Sequence, residues 1–177
     1  RVTILEEEID LKLQMEFYRL TREIRKNAII YTLDTVIDEL FNSESEVAIK
    51  KKMLSILASF TDVAALRAIE RYRECPDEGL EKWAVLAYQS SRMLISSKLL
   101  DSVPVFISTG LGGKERKLRY SVGMSASSGN DLNEFQQKII LSEMEFLFKK
   151  DQAVIEEIEF YENIVLFTFL IPIEADV

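Results

Sequence analysis

The spacing of apolar residues changes once along this 177-residue chain, and the change falls at one glycine-rich stretch. Before Ile107-Ser-Thr-Gly-Leu-Gly-Gly-Lys-Glu-Arg-Lys117, apolar residues recur every three or four positions, the period of a helix. After it, most segments alternate or run continuously apolar, as strands do. The stretch holds three of the six glycines. This order predicts an α+β chain. Residues 1–102 are expected to form a helical array, either an irregular bundle or stacked hairpins. Residues 103–177 are expected to form a small, mainly antiparallel ββαββ sheet domain with one helix.

Residues 3–26 read as a helix. Thr3-x-x-Glu6 has the form of a capping box, and Leu5, Ile9, Leu13, Phe17, Leu20 and Ile24 make a continuous stripe. The strict alternation of Ile9 to Phe17 would also suit a strand. The helix-forming Leu, Lys, Gln, Met and Glu, with no turn residue to bound the segment, favour helix. After a weak break at Asn27, Ala28–Phe41 reads as a second helix. Asn42 to Glu46 is a polar loop in which Ser45 can cap the next helix, Ala48–Phe60. Lys50-Lys-Lys52 is expected to be a solvated face of that helix. Thr61-Asp62 starts another, which Cys75-Pro76-Asp77 ends. The last runs from Leu80 to about Leu99, with Trp83 and Ala84 among its core candidates. Helices of this length with short joints and small Ala at crossing points suggest packed hairpins. In this respect residues 47–99 loosely resemble the HEAT/armadillo class of helical repeats, and that resemblance implies a stacked helical array.

In the second part, Val103–Ile107 is a short strand, with Pro104 suited to a strand start. Leu118, Tyr120, Val122, Met124 and Ala126 alternate with Arg119, Ser121, Gly123 and Ser125, the pattern of a half-buried strand. Asp131-x-x-Glu134 is placed to cap a helix over 132–150. Leu132, Phe135, Ile139, Ile140, Met144, Phe146 and Leu147 cover more than half its circumference, so it is expected to be covered on more than one side. Ile155–Tyr161 is a strand, Glu162-Asn163 a two-residue turn with Asn in the left-handed conformation, and Ile164–Ile171 a returning strand apolar on both faces. One face should meet the helix. The other must be covered as well, or it is a patch large enough to signal a partner.

Composition narrows the chemistry. There is no His, the commonest general base and metal ligand, and one Cys, Cys75, allows no internal disulfide and no Cys-based zinc site. The net charge is −8: residues 1–102 carry 15 Lys/Arg against 18 Asp/Glu, and residues 103–177 carry 7 against 12. Neither part is basic, so phosphate neutralisation on nucleic acid is not expected, and no membrane partner is expected either. The chain begins with Arg1, which leaves room for a preceding segment. With no signal peptide and no apolar run of membrane length, the cytoplasm is the default expectation.

Ser108-Thr-Gly-Leu-Gly-Gly-Lys114 resembles a phosphate loop in composition only. Ser108 stands where the motif needs Gly, Glu115 stands where it needs Ser or Thr, and a strand rather than a helix follows. Lys114, Arg116, Lys117 and Arg119, with Tyr120, form a local basic-aromatic tip, the one candidate interaction site. Glu156, Glu157 and Glu159 are the densest carboxylates of the second part, with Glu157 and Glu159 expected on one strand face and Glu156 on the other. No catalytic, cofactor-binding or metal-binding residue is assigned, and no cofactor or small-molecule ligand is inferred. The expected function is a non-catalytic protein–protein interaction or regulatory module, with a protein or a second copy of the chain as partner. Two rivals stay open: an enzyme working through Glu, Lys or Tyr, and a weak nucleic-acid binder using the 114–119 tip.

Overall fold

Five consecutive residues, Met53 to Leu57, are buried, so the second half of the helix that carries them is enclosed on all sides. This helix is α3, Val47–Leu57, in a computed structural model that describes residues 2–26, 31–100, 105–107, 109–127 and 129–174. The other N-terminal helices are α1, Leu11–Lys26; α2, Leu33–Phe41; α4, Val63–Glu74; and α5, Glu81–Leu100. All four touch α3, the arrangement of a bundle around a central helix. Its core is built on Trp83 of α5. The indole packs edge-on to Phe17 of α1 at 5.4 Å, and its N–H donates to the Lys51 carbonyl at 3.0 Å and to Ser55 Oγ at 3.2 Å. A buried indole keeps its polar handle satisfied in this way.

The remainder confirms the α+β class, with three strands rather than two before its helix: the expected first strand, described at Val105–Ile107, lies outside the four-stranded sheet. β4, Lys117–Ser125, and β6, Ile164–Pro172, form the centre of a four-stranded antiparallel sheet ordered β3-β4-β6-β5. The edges are β3, Gly113–Lys114, and β5, Val154–Tyr161. Helix α6, Glu134–Lys150, links β4 to β5. Residues directly opposite in an antiparallel pair share a face. Val165, Phe167 and Phe169 therefore share one with Met124, Val122 and Tyr120. Ile140, Met144 and Phe148 of α6 pack on this buried cluster, and Phe148 and Phe169 lie 4.7 Å apart. The cluster stops short of Val122 and Met124, which are exposed rather than half-buried.

Chain contacts define two compact units, Arg1–Val2 with Ile9–Val105, and Thr3–Glu8 with Phe106–Val177. The N-terminal segment is thus part of the second unit. β1, Val2–Ile4, pairs with β2, Val105–Ile107, in a separate two-stranded sheet, and the Leu5 amide donates to the Ile107 carbonyl at 3.0 Å.

This corrects the reading of residues 3–26 as one helix. Thr3 and Glu6 cap nothing; the helix starts at Leu11, where Asp10 Oδ1 accepts from the amides of Lys12 (2.9 Å) and Leu13 (3.3 Å). The reason is competition: strand pairing and the glycine loop take the polar groups of 5–6, and no helix can use them twice. Helix starts also move elsewhere. Ser45 caps nothing, because its hydroxyl donates to the Glu39 carboxylate. α6 begins with a capping box of Asn133 and Gln136, not of Asp131 and Glu134. At the β5–β6 turn, Glu162 rather than Asn163 takes positive φ (50°). The weak break at Asn27, the first residues of the expected second helix, Val103-Pro104 and Ser108 lie outside the described residues.

Candidate functional site

The glycine stretch is engaged by its own chain. Gly112 has φ +73°, and a Cβ there would meet the Glu6 carbonyl oxygen and stand 2.8 Å from Glu7 C and O. Only glycine allows this approach. The Gly113 amide donates to the Glu6 carbonyl at 3.1 Å, and the Glu115 amide donates to the Glu6 carboxylate at 3.2 Å. Amides that resemble a phosphate cradle in sequence thus hold residues of the N-terminal segment.

The basic-aromatic tip is the β3–β4 hairpin, with Lys114 opposite Lys117 and Glu115 at φ 56°. Arg116 is ion-paired with Glu174. Arg119 pairs with Glu156, Nη2 to Oε1 at 3.0 Å, and its Nη1 donates to the Leu111 carbonyl at 2.9 Å. The Arg119 hydrogen bond holds the Glu156 carboxyl below the usual range, and the Arg116 hydrogen bond does the same to Glu174. Tyr120 stacks on Phe169, centroids 5.9 Å apart. The structure therefore brings Arg116, Arg119 and Tyr120 to partners inside the unit and leaves Lys114 exposed and Lys117 half-buried.

A β-bulge between Ile155 and Glu157 corrects the expected carboxylate faces. The inserted residue shifts the alternation, so Glu156 reaches Arg119, on the same sheet face as Glu157 and Glu159. Among the described residues, no group of three or more Cys, Asp or Glu is placed to hold a metal ion.

In the helical unit the lysine run is not solvated throughout: Lys52 is exposed, Lys51 half-buried and Lys50 buried. The Lys50 side chain is 5% exposed, and its Nζ lies 2.8 Å from both carboxylate oxygens of Asp77. Tyr72 donates its hydroxyl to Asp77 Oδ2 at 2.6 Å. Asp77 sits below the usual carboxylate range, through the Lys50 hydrogen bond first and that from Tyr72 second. Burial, and then the Asp77 hydrogen bond, pushes Tyr72 well above its ordinary range. Lys51 Nζ lies 4.6 Å from the Trp83 ring centroid and 3.4 Å from Glu16, and Lys52 Nζ lies 5.8 Å from that of Tyr31. Trp83 and Tyr72 are core residues, Tyr88 is half-buried with Arg73 and Arg92 near its ring, and Cys75 is exposed. A shallow depression on α1 is lined by Lys12, Met15, Glu16 and Arg19.

The outer side of α6 is different. No residue of this helix is buried, which overturns the expectation that it is covered on more than one side. With about 3.6 residues per turn, Ile140, Met144 and Phe148 face the sheet, and Phe135, Ile139 and Phe146 fall roughly half a turn away. These three are 72%, 46% and 71% exposed. Lys138, Glu145 and Lys149 run along one flank of the stripe and are exposed. The sequence named the apolar residues of both sides but could not say that, among the described residues of this unit, only one side packs on the sheet. No family model, curated protein or solved structure matches this chain.

Proposed function

We propose that this protein is a non-catalytic protein-binding module whose docking surface is the outer face of α6. One observation carries the reading: the stripe of Phe135, Ile139 and Phe146 lies opposite the side that packs on the sheet. Large exposed apolar residues in line on one helix mark a surface meant for a partner. Phe side chains also supply much of the contact energy where interfaces form. The ion pairs of Arg116 and Arg119 speak in the same direction, because arginines held by carboxylates are poorly placed to take nucleic-acid phosphates.

The test uses the whole chain as bait in native extract, as wild type and as the double variant Phe135→Ser, Phe146→Ser. Both positions are exposed, so the variant should keep its circular-dichroism spectrum. Proteins retained by the wild type are expected to be lost with the variant. Proteins that the wild type retains and the variant retains equally would overturn the assignment of this face.

A further inference from the structure

We infer that the partner of the α6 face is a second copy of this chain, with the two α6 helices packed antiparallel about a twofold axis. The inference rests on the reading of that face as a docking surface and names its occupant. Charge is the first argument. Glu134, Lys138, Glu145 and Lys149 are all exposed, and none forms an ion pair among the described residues. They run along one flank in the order minus, plus, minus, plus. Glu134 with Lys149, and Lys138 with Glu145, share one midpoint, between Leu141 and Ser142. When two antiparallel helices pack about a twofold normal to their common plane, each flank meets its own copy running the other way. A twofold through that midpoint sets Glu134 opposite Lys149 of the second copy and Lys138 opposite Glu145 of the second copy. Both copies together make four such pairs, with no like charges opposed on this flank.

The apolar stripe fits the same axis. Phe135 and Phe146 are centred one residue away, about 1.5 Å along the helix. This small offset makes the large side chains interdigitate rather than collide. Phe146 of the second copy falls between Phe135 and Ile139 at each end. At the centre, where the helices come closest, each contributes Ser142, a small side chain. Knobs set into gaps in this way are how paired helices pack. One 17-residue helix face makes a small interface, so the dimer should exchange with monomer and depend on concentration.

Sedimentation velocity of the full chain over a range from low micromolar to sub-millimolar tests this. The wild type is expected to shift from monomer towards twice that mass. A chain with Lys138→Glu and Lys149→Glu has an all-negative flank, and one with Glu134→Lys and Glu145→Lys an all-positive flank. Each alone should dimerise roughly tenfold more weakly, the size expected when surface pairs turn repulsive. An equimolar mixture should regain wild-type association. All four sites are exposed, and circular dichroism shows whether each variant is folded. A wild type that stays monomeric overturns the inference, as do variants that associate like the wild type or folded variants whose mixture gains nothing. If the wild type is monomeric while Phe135 and Phe146 still retain other proteins from extract, self-pairing falls and the docking face stands. If neither occurs, both fall.

Discussion

Lys50 and Asp77 show how burial makes one ion pair unequal for its two members. The Lys50 side chain is 5% exposed and that of Asp77 is 41%. Removing Asp77 strands an ammonium in the core, whereas removing Lys50 leaves a carboxylate that water and Tyr72 can still serve. Asp77→Ala is therefore expected to cost about 3 kcal/mol, and Lys50→Met under about 1.5 kcal/mol because the methylene stem still packs, both by urea denaturation. The pair also sets a pH dependence. The Asp77 carboxyl titrates lower in the folded chain than in the unfolded one. Its contribution is present in full above the unfolded value of about 4 and is lost as pH falls through the lower, folded value. The gap between wild type and Asp77→Ala should thus start to close only as pH falls below about 4; a gap that persists unchanged in acid would refute the coupling.

At the scale of elements, helix faces are legible in sequence and helix starts are not. Phe17 of the α1 stripe and Trp83 of α5 lie in the core as expected. The caps moved because several residues near each start could serve, and tertiary contacts chose among them. Asp10 took over from Thr3 once residues 2–4 joined a sheet, and Asn133 from Asp131. Asn133→Ala should lower stability by about 1 kcal/mol, the usual worth of an N-cap. Asp131→Ala should stay within about 0.5 kcal/mol. Chemical denaturation followed by circular dichroism decides between the two caps. No helix among the described residues is long and apolar enough to cross a membrane, so the outer stripe of α6 belongs to a helix of ordinary length.

For the molecule as a whole, the decisive contact joins residues distant in sequence. Thr3–Glu8 belongs with Phe106–Val177 because Gly112 lets the Glu6–Glu7 backbone come within reach of its own. Gly129 is the natural control: it also has positive φ (+70°), but nothing lies within 4 Å of a Cβ built there. Gly129→Ala should cost only the left-handed penalty, about 1 kcal/mol. Gly112→Ala adds a backbone clash and should cost about 3 kcal/mol. It should also speed hydrogen exchange at the Leu5 and Gly113 amides, which bridge the segment to the loop. Equal costs for the two substitutions would show that conformation alone, and not close packing, requires glycine at 112.

The sequence by itself determined the α+β class, core residues such as Phe17 and Trp83, and the place where the helices give way to the larger sheet. These are set by period and local propensity, which nearby residues dictate. Only the tertiary structure decided that Thr3 to Glu8 leaves the first helix, that Lys50 is buried against Asp77, and that Glu156 turns to Arg119. Each of those depends on a partner tens of residues or more away, which no local pattern encodes. The α6 face lies between the two cases. Its apolar residues are plain in the sequence, but that Phe135, Ile139 and Phe146 stay exposed follows because the four-stranded sheet covers one side of a helix that is apolar on two.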